Sequence, residues 1–190
     1  MSRRYELRRR AERQAETRRR IVDSTVELHT SVGPARTTIS AIAERAGVER
    51  HTVYAHFPDE RELFHACSAH WRGLHPLPNG SGWDRIADPA RRLRAALNDV
   101  YAWYELVEDD LAIFSRDAGV HSLTAELVGQ RERAVGSLRD VLIDGWPRRK
   151  AVRAAIGHAL DFETWRSLAR RQGLTRKQAI DAMSILVASV

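Results

Sequence analysis

The side chains with chemistry to offer gather in a few places, and most have spacings that chemistry cannot use. His65, Cys67 and His70 stand close together. Cys67 and His70, three apart, fall on one helical face where two metal ligands could meet, but His65 falls on another, so no third ligand completes a site. As a nucleophile pair, Cys67 and His70 lack an orienting group and an oxyanion loop. Glu108, Asp109 and Asp110 are adjacent and diverge on a helix, and the pattern predicts that they cap a helix over 109–116. Gly80-Ser81-Gly82 lacks the lysine and the following helix of a phosphate-binding loop. No catalytic constellation emerges: no enzyme, metal or cofactor is expected.

The stretch "AGVERHTVYAHF", residues 46–57, is different. It reads as a very short helix in which Val53 and Phe57 suit a core, while Arg50, His51, Thr52, Tyr54 and His56 form a polar surface. A helix of one or two turns this polar is not stable alone, so neighbours must hold it. The spacing supplies them. Ala43 is small enough for a preceding helix to approach closely, Gly47 four residues later permits a sharp turn, and Val53 six further on pins the short helix back. This is the pattern of a helix-turn-helix, whose second helix enters a DNA major groove. There Arg50 and His51 meet base edges, Thr52, Tyr54 and His56 meet phosphates, and the positive N-terminus of the helix opening near Thr38 adds a backbone contact.

The charge pattern points to the same partner. The chain carries a net +6, and residues 1–20 hold nine arginines against three glutamates, so the whole excess lies in that arm. Such an arm suits a polyanion. Only Tyr5 and Leu7 are large and apolar before Ile21, which disfavours a membrane-surface helix. Residues 21–72 carry five arginines against seven acids, so attraction to DNA must come largely from the arm, by threading into the minor groove. Arg18, Arg19 and Arg20 are candidate DNA contacts within this basic run. The one cysteine excludes an internal disulfide and fits a reducing compartment. Ile21–Val32 contains Asp23, Glu27 and His29 and does not read as a signal-peptide core. No stretch approaches the roughly 18–20 apolar residues of a membrane span. The expected location is cytoplasmic, on the nucleoid, with no membrane partner.

The elements that must position these residues are all helical; no alternating run suggests a strand. Ile21, Thr25, Leu28 and Val32 form a stripe stopped at Gly33-Pro34. Thr37-Thr38 cap a second helix with Ile39, Ile42, Ala43 and Ala46 inward, and Gly47 ends it. Phe57-Pro58 ends the short helix, and Asp59 with Glu62 predicts a capping box for a fourth helix through about Trp71. The uncharged, Pro/Gly-rich segment 73–83 marks a boundary. Helices follow at about 88–106, 109–116, 122–145, 149–172 and 175–190. The expected fold is all-α, with a basic arm (1–16), a three-helix helix-turn-helix DNA-binding domain (17–72), a linker (73–83), and a helical ligand-binding and dimerisation domain (84–190).

The segment "TTISAIAERAGVERHTVYAHFPDERELF" resembles the DNA-binding domain of TetR-family (TetR/AcrR-like) transcriptional regulators. The paired threonines, Ile-Ala, Ala-Gly-Val, Thr-x-Tyr-x-His-Phe and the Glu-Leu of the next helix carry the likeness, over about residues 17–65. The resemblance implies a homodimer that binds a near-palindromic double-stranded operator, most often as a repressor, and leaves it when a small molecule enters the C-terminal domain. The implied DNA-contacting set is Thr38, Glu49, Arg50, His51, Thr52, Tyr54 and His56 with Arg18–Arg20. Three positions depart from the family pattern. Glu49 and His51 stand where a small polar residue or glycine is common, Glu60 replaces a common lysine, and His29 replaces a phenylalanine.

In the C-terminal part, Trp103, Tyr104, Phe114, Phe162 and Trp165 are expected to line an effector cavity, with His121 and His158 as polar contacts. Plain core packing is the competing reading of these aromatics. The effector is expected to be small and largely apolar. The last helix is apolar on more than one side. With helix 149–172 it predicts a four-helix dimer interface using Val152, Ile156, Ala159, Ile180, Met183, Leu186 and Val187; a central helix of the monomer is the competing reading. The competing functions are a constitutive or partner-controlled DNA-binding protein, and a helical ligand-binding module that has lost DNA binding.

Overall fold

The structure, a computed structural model, describes residues 3–190 apart from the side chains of Arg3 and Arg4. Those side chains and the first two residues of the expected arm lie outside the described residues. Nine α-helices and no strand are present among the described residues. They form two compact units, one of the described residues up to 75 with 109–128, the other of 76–108 with 129–190.

In the first unit, α1 (Arg3–Ser31) includes the basic arm, which was expected to thread into the minor groove. The reason for the difference is local. Arginine, glutamate and alanine favour helix, and Arg8–Glu12 and Arg19 with Glu16 and Asp23 pair at helical spacings. A helix is about 10–12 Å across and a minor groove about 6 Å wide, so an arm in this form cannot thread. Next come α2 (Ile39–Ala46), α3 (Arg50–His56) and α4 (Glu60–Leu74). The caps are as the residue types suggest: the Thr38 hydroxyl oxygen accepts from the Ala41 N–H at 3.2 Å, and Asp59 from the Glu62 N–H at 2.8 Å. Gly47 is left-handed, φ 62° and ψ 43°, and its N–H closes α2 onto the Ala43 and Glu44 carbonyls. Ile21, Val22, Leu28, Ile42, Ala43, Val53 and Phe57 form one buried cluster with Leu63 and Cys67.

Residues 109–128 buttress this unit. The Trp71 indole donates to Asp110 Oδ2 at 2.6 Å and packs edge-on against Phe114. Arg61 forks onto both carboxylate oxygens of Glu126 at 2.9 and 3.2 Å. Buried Asp117 accepts from the Ala35 N–H at 3.0 Å, while Arg116 donates to the Val32 carbonyl at 2.9 Å. Gly33 sits between them at φ 102°, where a Cβ would lie 2.3 Å from both the Arg116 guanidinium and the Asp117 carboxylate. Only glycine lets the chain pass here.

In the second unit, Leu93, Leu97, Val100, Tyr101, Ile156, Leu160 and Trp165 are fully buried. The expected separate helices 88–106 and 109–116 are one helix, α5 (Pro89–Ala118), with a single non-helical residue at Val107, φ −118° and ψ 15°. The predicted capping by Glu108, Asp109 and Asp110 is therefore wrong. Glu108 instead pairs with Arg170 at 2.7 Å, and Asp110 accepts from Trp71. After α6 (Ser122–Leu142), the expected helix 149–172 is broken into α7 (Lys150–Ala159), α8 (Phe162–Arg166) and a π-turn over Ser167–Arg171. Asp161 makes the break: it is extended, and its carboxylate caps the Thr164 N–H at 2.8 Å. Two buried tyrosines satisfy carbonyls at the break, Tyr101 donating to Ala159 at 2.8 Å and Tyr104 to Leu160 at 2.7 Å. Burial raises both phenol pKa values, which keeps them protonated as donors. The final helix, α9 (Arg176–Ala188), opens with a Thr175/Gln178 capping box absent from the sequence reading.

Candidate functional site

Only Val53 of α3 is buried, and it is fully so. The rest of the helix is turned outward. Glu49, Arg50, His51 and Tyr54 are exposed, Thr52 and His56 half-buried. Phe57, just past the helix end, anchors it from the other side. Burying two apolar side chains contributes about 3–6 kcal/mol, enough to hold a seven-residue helix whose own propensity could not. The polar side chains are then unconstrained by the fold. Apart from a Thr52–His51 approach at 3.4 Å, they make no hydrogen bond or ion pair among the described residues.

The expected arm contacts differ among themselves. Arg18 lies over the Phe57 ring at 4.4 Å, so its guanidinium is held beside the C-terminal end of α3. Arg19 is committed to Glu16 and Asp23. Arg20 is exposed and runs toward the turn at Gly47. A groove lined by Gln14, Ala15, Arg18, Ala55 and His56 separates the arm from α3. Exposed Thr38 caps α2 through its oxygen and keeps its hydroxyl proton free to donate.

His29, unexplained by the sequence, is a core residue. Its Nδ1 lies 3.5 Å from Cys67 Sγ and its ring is 5.6 Å from that of Phe64. Burial first, and then the nearby His121, lower its pKa to about 4, so it is neutral at pH 7. Burial also pushes the Cys67 thiol up to about 12, and the thiol donates to the Phe64 carbonyl at 3.1 Å. His70 faces Asp23 at 3.3 Å instead of joining Cys67. Among the described residues no three His, Cys, Asp or Glu side chains gather as metal ligands.

The expected effector set divides between the units. Tyr104 stacks in one cluster with Trp103, Phe162 and Trp165, at ring separations of 5.2–5.5 Å, and His158 Nδ1 meets the Thr164 hydroxyl at 3.1 Å. Phe114 and His121 belong to the other unit. Phe114 borders a space of about 10 Å³ with His29, Phe64 and Trp71, barely room for one water. His121 meets Thr124 at 2.7 Å and Glu60 at 3.3 Å. A cavity of about 310 Å³ does exist in the second unit, and of the expected set only Tyr104 and Phe162 line it. Arg131, Val135, Arg139 and Gly157 were missed. The signal was a face of α6, Arg131, Val135 and Arg139 at intervals of four, that mixes charge with a core residue.

The expected dimer residues also need correction. Val152, Ile156, Ala159, Ile180, Met183 and Val187 are buried in the second unit's own core, because α7 and α9 pack on each other. Leu186 alone of the set is exposed, beside Ile185.

Residues 21–67 match the family model described as bacterial regulatory proteins, tetR family. The HTH-type transcriptional regulator TtgR of Pseudomonas putida is 36% identical over 104 residues, 54% of this chain and 49% of that protein. The HTH-type transcriptional regulator SrpR, also of Pseudomonas putida, is 40% identical over 62 residues, 33% of this chain and 28% of that protein. The chain thus spans half or less of the length of these curated relatives. Among solved structures, NalD, the secondary repressor of the MexAB-OprM multidrug efflux pump in Pseudomonas aeruginosa, aligns with a TM-score of 0.61 at 18% identity, over 94% of this chain and 96% of that one. A transcriptional regulator from Rhodococcus sp. Rha1 aligns at 0.61 and 22% identity, over 91% and 95%. At these identities the alignments establish the fold alone.

Proposed function

We propose, from the match of residues 21–67 to the tetR family of bacterial regulatory proteins, that the chain is a sequence-specific DNA-binding repressor of that family. The observation that carries the reading is α3: a short helix pinned by Val53 and Phe57 whose exposed polar residues the fold does not otherwise use. In a major groove, Arg50 and His51 read base edges, while Tyr54, Thr52, His56 and Thr38 hold phosphates. Glu49, at the N-cap, accepts from a base amino group. Arg18 and Arg20 add charge along the backbone, and the arm lies across phosphates as a helix.

Two copies related by a twofold axis place their α3 helices about 34–36 Å apart on a near-palindromic site. Their contact uses the exposed Ile185 and Leu186 of α9. A small, largely apolar effector enters the second unit. Its effect reaches DNA through α5 and α6, whose residues 109–118 and 122–128 pack within the first unit. A coupling of about 1–3 kcal/mol weakens operator binding roughly 5- to 150-fold.

A gel shift on DNA carrying the promoter beside its own gene, over a range of salt, tests the reading. Saturable, sequence-dependent binding that weakens with salt supports it. Absence of binding at low salt, or binding indifferent to sequence, defeats it.

A further inference from the structure

The 310 Å³ cavity of the second unit is lined by Tyr104 of α5, Arg131, Val135 and Arg139 of α6, Gly157 of α7 and Phe162 of α8, together with two carboxylates, Glu132 and Asp161. Its size is at the small end for ligand sites. Two features set it apart from packing voids. Arg131 Nη1 and Arg139 Nε are both shielded from solvent and have no hydrogen-bond acceptor. Buried donors are nearly always satisfied, and a shielded donor of a charged group without an acceptor is costly. Two in one cavity call for a common cause.

The surroundings hold both guanidiniums in place. Arg131 lies 5.6 Å from the Phe162 ring centre. Arg139 runs past Gly157, where a Cβ would be in ordinary contact with its Nη1 at 3.5 Å. The acids of the wall and beside it make no hydrogen bond to either atom. Asp161 already receives the Thr164 N–H and lies 3.3 Å from its hydroxyl, Asp140 pairs with Arg153, and Glu132 stands exposed in solvent. The rest of the wall is apolar or aromatic.

We infer that this cavity binds a carboxylate-bearing molecule with a flat apolar body, its carboxylate received by Arg131 and Arg139 and its body laid against Tyr104 and Phe162. A planar, doubly accepting group matches guanidinium donors, and two aromatic walls match a flat body. The effector is thus an organic acid. Binding stands on this cavity alone; its consequence for DNA rests on the regulator reading above.

The test is calorimetric titration of the full chain with 2-naphthoate and with 2-naphthamide, which share a body and differ in charge. The acid is expected to bind at least about tenfold more tightly. Arg131→Gln and Arg139→Gln should each bring it down to the level of the amide, Arg131→Lys should retain part of the preference, and Arg133→Gln, exposed and outside the cavity, should leave it unchanged. Circular dichroism and melting verify that each variant is folded; should Arg139→Gln fail to fold, the two Arg131 variants decide. Equal binding of acid and amide, an acid preference surviving in both glutamine variants, or no binding of the acid up to millimolar concentration would overturn the assignment. The gel shift repeated with 2-naphthoate is read separately. An arginine-dependent acid that leaves the operator bound upholds the site and removes the switch.

Discussion

The two units deploy their polar side chains in opposite directions. In the first, α3 turns Arg50, His51 and Tyr54 outward and commits only Val53 to the core. In the second, Arg131 and Arg139 turn inward, with guanidinium atoms shielded from solvent around a cavity. A large polymer is met on a protruding surface, where desolvation is incomplete and each contact adds a modest increment. A small ligand is met in an enclosure, where fewer groups act in a lower dielectric and each counts for more. Function and stability are therefore separable on the outward face of α3 and entangled inside the second unit.

The sharpest break of this contrast lies on a single helix, α9. Met183 is buried and Leu186 exposed. Met183→Glu places a charge in the core and should cost about 4 kcal/mol or more, leaving little folded protein by circular dichroism. Leu186→Glu should leave the helical signal intact and yield folded monomers by sedimentation. If Leu186→Glu remains dimeric, the interface lies elsewhere.

The first unit also turns polar groups inward, and among them is the titratable His29. Its pKa in the fold is about 4 against 6.5 when unfolded. The unfolded chain therefore takes up a proton first as pH falls. Stability from this group is complete above about pH 6.5 and is lost progressively down to about pH 4, a change of about 3 kcal/mol. Melting curves of the wild type and of His29→Phe across that window should diverge, the variant showing the flatter profile. Parallel profiles would mean that His29 binds its proton as readily in the fold as in the unfolded chain.

A smaller and purely outward effect comes from the arm. Removing residues 1–16 should reduce the log–log salt slope of DNA binding by about 0.9 for each phosphate that the arm neutralises, while leaving sequence preference intact. An unchanged slope would make the arm a solubility element only.

How legible each region was follows from the same division. The helix-turn-helix could be read because its constraints are local: Thr38 caps within three residues, Gly47 must be left-handed, and Val53 is spaced to return to α2. The helical arm was missed because arginine content was read as charge alone, although its Arg–Glu pairs stand at helical spacing. In the second unit the decisive facts are long-range. Tyr101 and Tyr104 stabilise a break 56–58 residues away, and nothing in the periodicity of 149–172 announces it except Asp161. Burial of Met183 and exposure of Leu186 depend on where α7 lies, which an all-round apolar helix does not encode. The cavity arginines were overlooked because aromatic residues, not charges, were sought at its wall.

The most direct test of the central claim, that the outward face of α3 reads base edges, is a competition binding series. Operator variants carrying each single base-pair change are measured against the wild type, Arg50→Ala, His51→Ala and Tyr54→Phe. Arg50→Ala and His51→Ala should each lose about 1–3 kcal/mol of discrimination at their own base pairs and little elsewhere, while Tyr54→Phe weakens all sequences alike. Discrimination profiles for Arg50→Ala and His51→Ala that match the wild type at every position would contradict it.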